Sequence, residues 1–140
     1  MINRLAHVTI WAKDQNEALR FYTEKLGFEI RTDYTNYNYR WLTVGLKGQP
    51  DLEFHLAPLK AGGSLTQEDV DQLTKLVEAG KLGSGPWKTD DCQKTYETLK
   101  ARGVDFVQPP TDRPYGIIEA IFNDNSGNIM VLAQDKPRQA

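Results

Sequence analysis

An internal repeat constrains this chain more than any other feature. Residues 14–30 and 90–106 align at a constant offset of 76 residues, pairing Asp14 with Asp90, Gly27 with Gly103 and Glu29 with Asp105. Phe28 and Ile30 align with Val104 and Phe106. Each stretch carries the same local instructions. Asp14 and Asp90 are residues that cap a helix start, with Glu17 and Gln93 at the reciprocal position of a capping box. Gly27 and Gly103 suit the left-handed residue that ends a helix. Between the first cap and its glycine, Ala18, Tyr22 and Leu26 fall on one apolar face; Tyr96 and Leu99 anchor the more polar second helix. After each glycine an alternating run, Phe28-Glu29-Ile30-Arg31 or Val104-Asp105-Phe106-Val107, reads as a strand.

The flanks repeat as well. Leu5-Ala6-His7-Val8-Thr9-Ile10-Trp11 precedes the first helix, and Tyr39–Val44 and Leu52–Leu56 follow it, separated by a Gly48-Gln49-Pro50-Asp51 turn. In the second half come Ile117–Phe122, a turn through Asn123–Gly127, and Asn128–Ala133. The strand before the second helix has the poorest start, at Gly83-Ser84-Gly85-Pro86. The expected fold class is therefore α+β, with two tandem β-α-β-β-β modules at about 4–58 and 83–135. A helical linker over 59–82 joins them, capped at Ser64 or Thr66, with Val70, Leu73 and Val77 on one face and Gly80 and Gly83 ending it.

Composition then removes function classes. With 39% apolar residues and 10% aromatics, 140 residues can bury a core as one domain without metal or disulfides. A net charge of −2 disfavours nucleic acid as the main partner. No apolar run approaches a membrane span. The opening residues lack the basic-then-apolar order of a secretory signal, and the single Cys92 fits a reducing cytoplasm. Cys92 is expected in a helix's first turn, which would lower its thiol pKa, with no histidine nearby in the motif to make it catalytic. The scarcest resource is nitrogen and sulfur ligands: only His7, His55 and Cys92. A four-ligand zinc site of cysteines and histidines is impossible within one chain.

Three motifs carry a family resemblance: His7-Val8-Thr9-Ile10, Phe21-Tyr22-Thr23-Glu24-Lys25-Leu26-Gly27-Phe28, and Asp124-Asn125-Ser126-Gly127-Asn128-Ile129-Met130-Val131-Leu132. Together with Pro109-Pro110 and Pro114-Tyr115-Gly116 they resemble the vicinal oxygen chelate superfamily of glyoxalase I, bleomycin-resistance proteins and extradiol dioxygenases. The resemblance spans nearly the whole chain outside 59–82. It implies two curved sheets forming a cup, a homodimer with a shared site, and a divalent metal holding two neighbouring substrate oxygens. Carried over residue by residue, it places one metal ligand at His7 and one at Glu53. The second module's ligands would fall at Gly83 or Ser84 and at Val131, none of which suits a metal. A non-standard set of His7, Glu53 and His55 is the remaining arrangement.

Strand parity turns the resemblance into a pocket map. With His7 facing the cup, so do Leu5, Thr9 and Trp11; with Glu53, so do Asp51 and His55; with Val131, so do Ile129 and Ala133. Val8, Ile10, Phe54, Leu56, Met130 and Leu132 then form core. The expected pocket comprises His7, Thr9, Trp11, Trp41, Glu53, His55, Ile129 and Val131, polar on the first module and aliphatic on the second. A His7–Glu53 hydrogen bond is expected as a satisfied pair or as a working one. Glu53 and His55 are the candidate proton-transfer groups, and Arg40 is either a surface ion pair or an anion holder. The expected function is binding of a small organic molecule without a complete metal set. Two enzymatic alternatives stand beside it: a metal-dependent lyase or isomerase using His7 and Glu53, and a metal-independent proton-transfer enzyme.

Overall fold

A computed structural model describes residues 1–137. Module one runs β1 (His7–Ala12), α1 (Gln15–Arg20), a π-helical turn (Phe21–Lys25), β2 (Glu29–Asn36), β3 (Tyr39–Gly45) and β4 (Glu53–Pro58). The linker carries α2 (Gln67–Glu78). Module two runs β5 (Pro86–Lys88), α3 (Cys92–Ala101), β6 (Phe106–Arg113), β7 (Ile117–Asn123) and β8 (Ile129–Asp135). The sheets have matching orders, β1-β4-β3-β2 and β5-β8-β7-β6. In each, the first strand pairs parallel with the last, and the remaining pairs are antiparallel. This is the α+β architecture of tandem β-α-β-β-β modules that the repeat predicts.

The β6–β7 register departs from that of β2–β3 through its bulges, and two further departures from strict repetition are slips of one residue. The carboxylate of Asp14 accepts the Glu17 N–H at the start of α1. At α3 the cap is Asp91, which accepts from Lys94 N–H, rather than the expected Asp90. Gly27 and Gly103 still end their helices with left-handed φ of 78° and 87°. The first helix thus holds one residue more between cap and glycine. The π-helical turn absorbs it, with Leu26 N–H reaching back five residues to Phe21 O at 3.2 Å.

The second slip falls on β5. Trp11 pairs with Ala57, so the repeat would set Trp87 opposite Ala133, but Trp87 pairs with Leu132. A one-residue slip turns a side chain to the other face of the sheet. Trp87 accordingly leaves the face that Trp11 occupies and packs between Phe28 and Phe54, at ring separations of 5.4 and 4.8 Å. Gly85, at φ 99°, stands immediately before the slipped strand.

Both sheets bury one face in a common core. Ile10, Leu42 and Leu56 of the first sheet join Ala120, Phe122 and Leu132 of the second, with Phe21 and Tyr22 between them. The expected inward set (Val8, Ile10, Phe54, Leu56, Met130 and Leu132) packs in or against this cluster. The opposite faces are turned away from it. In α2, Thr66 forms the cap, as a complete capping box with Asp69, and Val70 and Val77 are buried. Gly80 follows α2 at φ 70°. Gly83 does not terminate the helix. It runs beside β8, where a Cβ would lie 2.5 Å from Ile129 O. Among the described residues no helix is long and apolar enough to cross a membrane.

Candidate functional site

The outer face of the first sheet gathers six of the eight residues expected in the pocket. Register sets His7 opposite Glu53 and Thr9 opposite His55 across β1 and β4, and Thr43 opposite His55 across β3 and β4. Alternation along each strand then brings Trp11 and Trp41 to the same side. The Trp41 indole stacks on the His55 ring, centroids 3.9 Å apart and planes 28° from parallel. His7 meets Trp41 edge-on at 5.3 Å. The Tyr39 hydroxyl lies 3.2 Å from His55 Nε2. The expected His7–Glu53 hydrogen bond does not form. Glu53 Oε1 instead accepts from Thr43 Oγ1 at 2.6 Å, because β3 lies on the other side of β4 and carries a short hydroxyl at the right height.

Next to this aromatic face is an open cavity of ≈ 460 Å³. Thr9, Trp11, Tyr39 and His55 form its floor, and the linker residues Lys60 to Leu65 its side. Arg40 takes no part. It binds both carboxylate oxygens of Asp33 at 2.8 Å and Asn16 Oδ1 at 2.6 Å. That fork holds Asp33 below the usual carboxylate range. Cys92 is likewise remote. Its thiol is buried in the core and pushed up by burial, then by Asp91 and Glu119, against the lowering expected from a helix start.

His55 is only 8% exposed. Burial, and secondarily the charge of His7, lower its pKa from the ordinary 6.5. In the tautomer with Nε2 unprotonated, the neutral ring accepts a hydrogen bond from the Tyr39 hydroxyl. Below pH 6.5 the unfolded chain takes up the proton first, so stability is fully present above pH 6.5 and falls as pH drops from 6.5 through the folded-state value. Melting temperatures between pH 8 and pH 5 should decline more steeply for the wild type than for His55→Gln. Parallel curves would remove His55 from the titration.

The other two expected pocket residues, Ile129 and Val131, lie on the outer face of the second sheet, not beside His55. Ile121 and Glu119 face the same way, paired with Val131 and Ala133. This face is not purely aliphatic. Glu119, 8% exposed, sits one repeat after Thr43, so the modules carry their carboxylates on different strands. Its Oε1 accepts from Arg113 Nε at 2.8 Å and from the Tyr115 hydroxyl at 3.0 Å. Arg113 Nη2 continues to Gln108 Oε1 at 2.6 Å. Sequence reasoning missed this cluster; the signal was a lone glutamate among isoleucines on a strand, Ile117-Ile118-Glu119-Ala120-Ile121.

Backbone bonds define the repeat-equivalent ligand positions. Glu53 N–H donates to Ala6 O at 3.1 Å, and Ile129 N–H donates to Leu82 O at 2.9 Å. The counterpart of Glu53 is therefore Ile129, two residues before the expected Val131, and the counterpart of His7 is Gly83. Neither offers an oxygen, nitrogen or sulfur side-chain donor. Among the described residues no group of three or more His, Cys, Asp or Glu side chains is placed to hold a metal ion. Among the described residues the donors at these four positions, His7 and Glu53 alone, do not fit the divalent ion that the resemblance implies.

The profile of the Glyoxalase/Bleomycin resistance protein/Dioxygenase superfamily matches residues 4–132. The chain belongs to that superfamily. Among solved structures, that of UcmS2 is 43% identical with a TM-score of 0.88, covering 96% of this chain and 100% of that one. TnmS3 of Streptomyces sp. CB03234, described as an antibiotic binding protein, is 27% identical with a TM-score of 0.75, covering 96% and 98%. An uncharacterized relative, YurT of Bacillus subtilis strain 168, is 32% identical over 94% of this chain and 98% of its own length.

Proposed function

We propose that this chain binds a small organic molecule with a planar aromatic surface, without a metal ion. The observation that carries the reading is the stacked Trp41–His55 pair, edged by His7 and Tyr39, on an open sheet face. Aromatic rings gain most from offset stacking and edge contacts with other rings. A mostly apolar concave site with few polar groups suits such a ligand. The antibiotic-binding description of TnmS3 supports it. Both outer faces are turned from the shared core, so a second copy can lay the outer face of its second sheet, with Ile129 and Val131, over the aromatic face of the first. The working unit in this reading is a cytoplasmic homodimer with neither nucleic acid nor membrane as partner. Glu53 and His55 then orient the ligand through hydrogen bonds.

Thermal-shift and titration measurements with planar aromatic compounds, set against saturated compounds of equal volume, test it. The aromatic set should raise the melting temperature. Trp41→Ala should weaken binding by about 2 kcal/mol, roughly thirtyfold. Equal shifts from both sets would overturn the reading. Stoichiometric divalent metal in protein purified without chelator would overturn its metal-free part. With a confirmed ligand, an unchanged shift in His7→Ala and Glu53→Gln would remove those two residues from the site.

A further inference from the structure

We infer that Glu119 is a hydrogen-bond acceptor for a ligand, selecting a neutral hydroxyl or N–H group at one end of an aromatic body. The inference rests on the binding reading above. The molecule contains its own comparison. Arg40 and Asp33 form a two-pronged pair in which both carboxylate oxygens are used. Arg113 and Glu119 do not. Arg113 Nε reaches Oε1, but Nη2 is diverted to Gln108, and Gln108 Nε2 in turn donates to Glu119 O at 3.3 Å. The Tyr115 hydroxyl adds a second bond to the same Oε1.

Oε2 is left with no partner among the described residues. It is not sealed in either: among them only Trp87 Nε1 is a fully buried side-chain polar atom lacking a hydrogen bond. A carboxylate with 11% of its side chain exposed, oriented by Arg113 and Tyr115 and offering one free oxygen, is an acceptor awaiting a donor. Its cross-strand neighbours are the short Thr111 and Ala133. Ile117 and Ile121, two residues to either side on β7, supply apolar surface for the rest of a ligand. Arg113 already offsets the negative charge, so the site does not require a cation. A neutral donor suffices, and hydrogen bonds to charged acceptors are stronger than neutral ones.

A matched probe pair tests this: 2-naphthol, which donates, and 2-methoxynaphthalene, which has the same ring without the donor. Titration calorimetry at pH 7 should show 2-naphthol binding the wild-type protein about tenfold more tightly or better. In Glu119→Gln the amide oxygen stays with Arg113 and Tyr115, which places the NH₂ where Oε2 was. The preference should then collapse to within about twofold. The affinity for 2-methoxynaphthalene should hold, which reports an intact site. Equal affinities in the wild type, or an undiminished preference in Glu119→Gln, would overturn the role of Glu119 while leaving the binding reading standing. Failure of both naphthalenes to bind would overturn the two together.

Discussion

Asp124→Ala is expected to destabilise the folded chain by about 3–5 kcal/mol, the largest effect of any single change considered. Asp124 is 7% exposed and sits in the turn before β8. Its Oδ1 accepts the backbone N–H groups of Ser126, Gly127 and Asn128 at 2.9–3.0 Å. Its Oδ2 accepts the Tyr22 hydroxyl at 2.8 Å and Asn128 Nδ2 at 2.9 Å. Asn128 Nδ2 also reaches Trp11 O at 2.7 Å. One carboxylate therefore folds its own turn, ties it to β1 and ties it to the first helix. Tyr22 is fully buried, and its phenol is pushed well above its ordinary pKa by burial, then by Asp124. It stays protonated and must donate. Removing the carboxylate strands that hydroxyl and the backbone N–H groups of Ser126 and Asn128 in a dry environment, each an uncompensated cost, while Gly127 N–H keeps the Asp124 carbonyl at 3.1 Å. Urea unfolding should show the loss. Tyr22→Phe alone should cost about 1 kcal/mol, and much less in the Asp124→Ala background, because the two groups share a bond. A loss below about 1 kcal/mol for Asp124→Ala would reject this account of the turn.

The second large effect is expected at Gly127→Ala, about 2–4 kcal/mol by the same measurement. Gly127 has φ 116°, a conformation that side chains resist. A Cβ there would also lie 2.4 Å from Val77 O and 3.0 Å from Glu78 Cα, at the carboxyl end of α2. The turn and the linker helix are in backbone contact, so alanine requires one of them to move. That movement has a functional readout, because the segment leading into α2 walls the cavity beside Tyr39 and His55. Aromatic ligands should therefore bind Gly127→Ala more weakly than their stacking partners alone would dictate. Gly48→Ala is the control: nothing lies within 4 Å of a Cβ there, and its stability should stay within about 0.5 kcal/mol of wild type. Equal, small losses at both glycines would refute the contact argument.

These two predictions give a physical content to the closing motif of the chain. Asp124, Gly127 and Asn128 are needed for a turn that clamps module one, module two and the linker together. Among the described residues their one hydrogen bond to the aromatic face is that of Asn128 Nδ2 to the Trp11 carbonyl. The superfamily signature in this region is thus a folding signature, which is why it announces the architecture and says little about the ligand.

The offset of 76 residues, the period-2 strands and the helix-ending glycines were enough to place both modules and to separate core faces from outer faces. These are local and periodic properties, and alternation transmits them faithfully along a strand. Single-residue slips were not legible. Asp90 and Asp91 are chemically equal as caps, and only the packing of α3 selects the second. Trp11 and Trp87 occupy equivalent places in the repeat, yet the slip of β5 sends one to the outer face and the other to the core. The partner of Glu53 was also beyond reach. Whether a carboxylate bonds across β1 or across β3 depends on side-chain height in a sheet, not on sequence distance.

The sequence by itself thus determined the fold class, through residue types and spacings, and the superfamily, through its motifs. The tertiary structure decided which side chains come together. It stacked Trp41 on His55, turned Ile129 and Val131 away from them, and set Glu119 among Arg113, Tyr115 and Gln108 with one oxygen free. Those outcomes depend on strand register and on which faces share a core, and both are settled only when two distant segments meet.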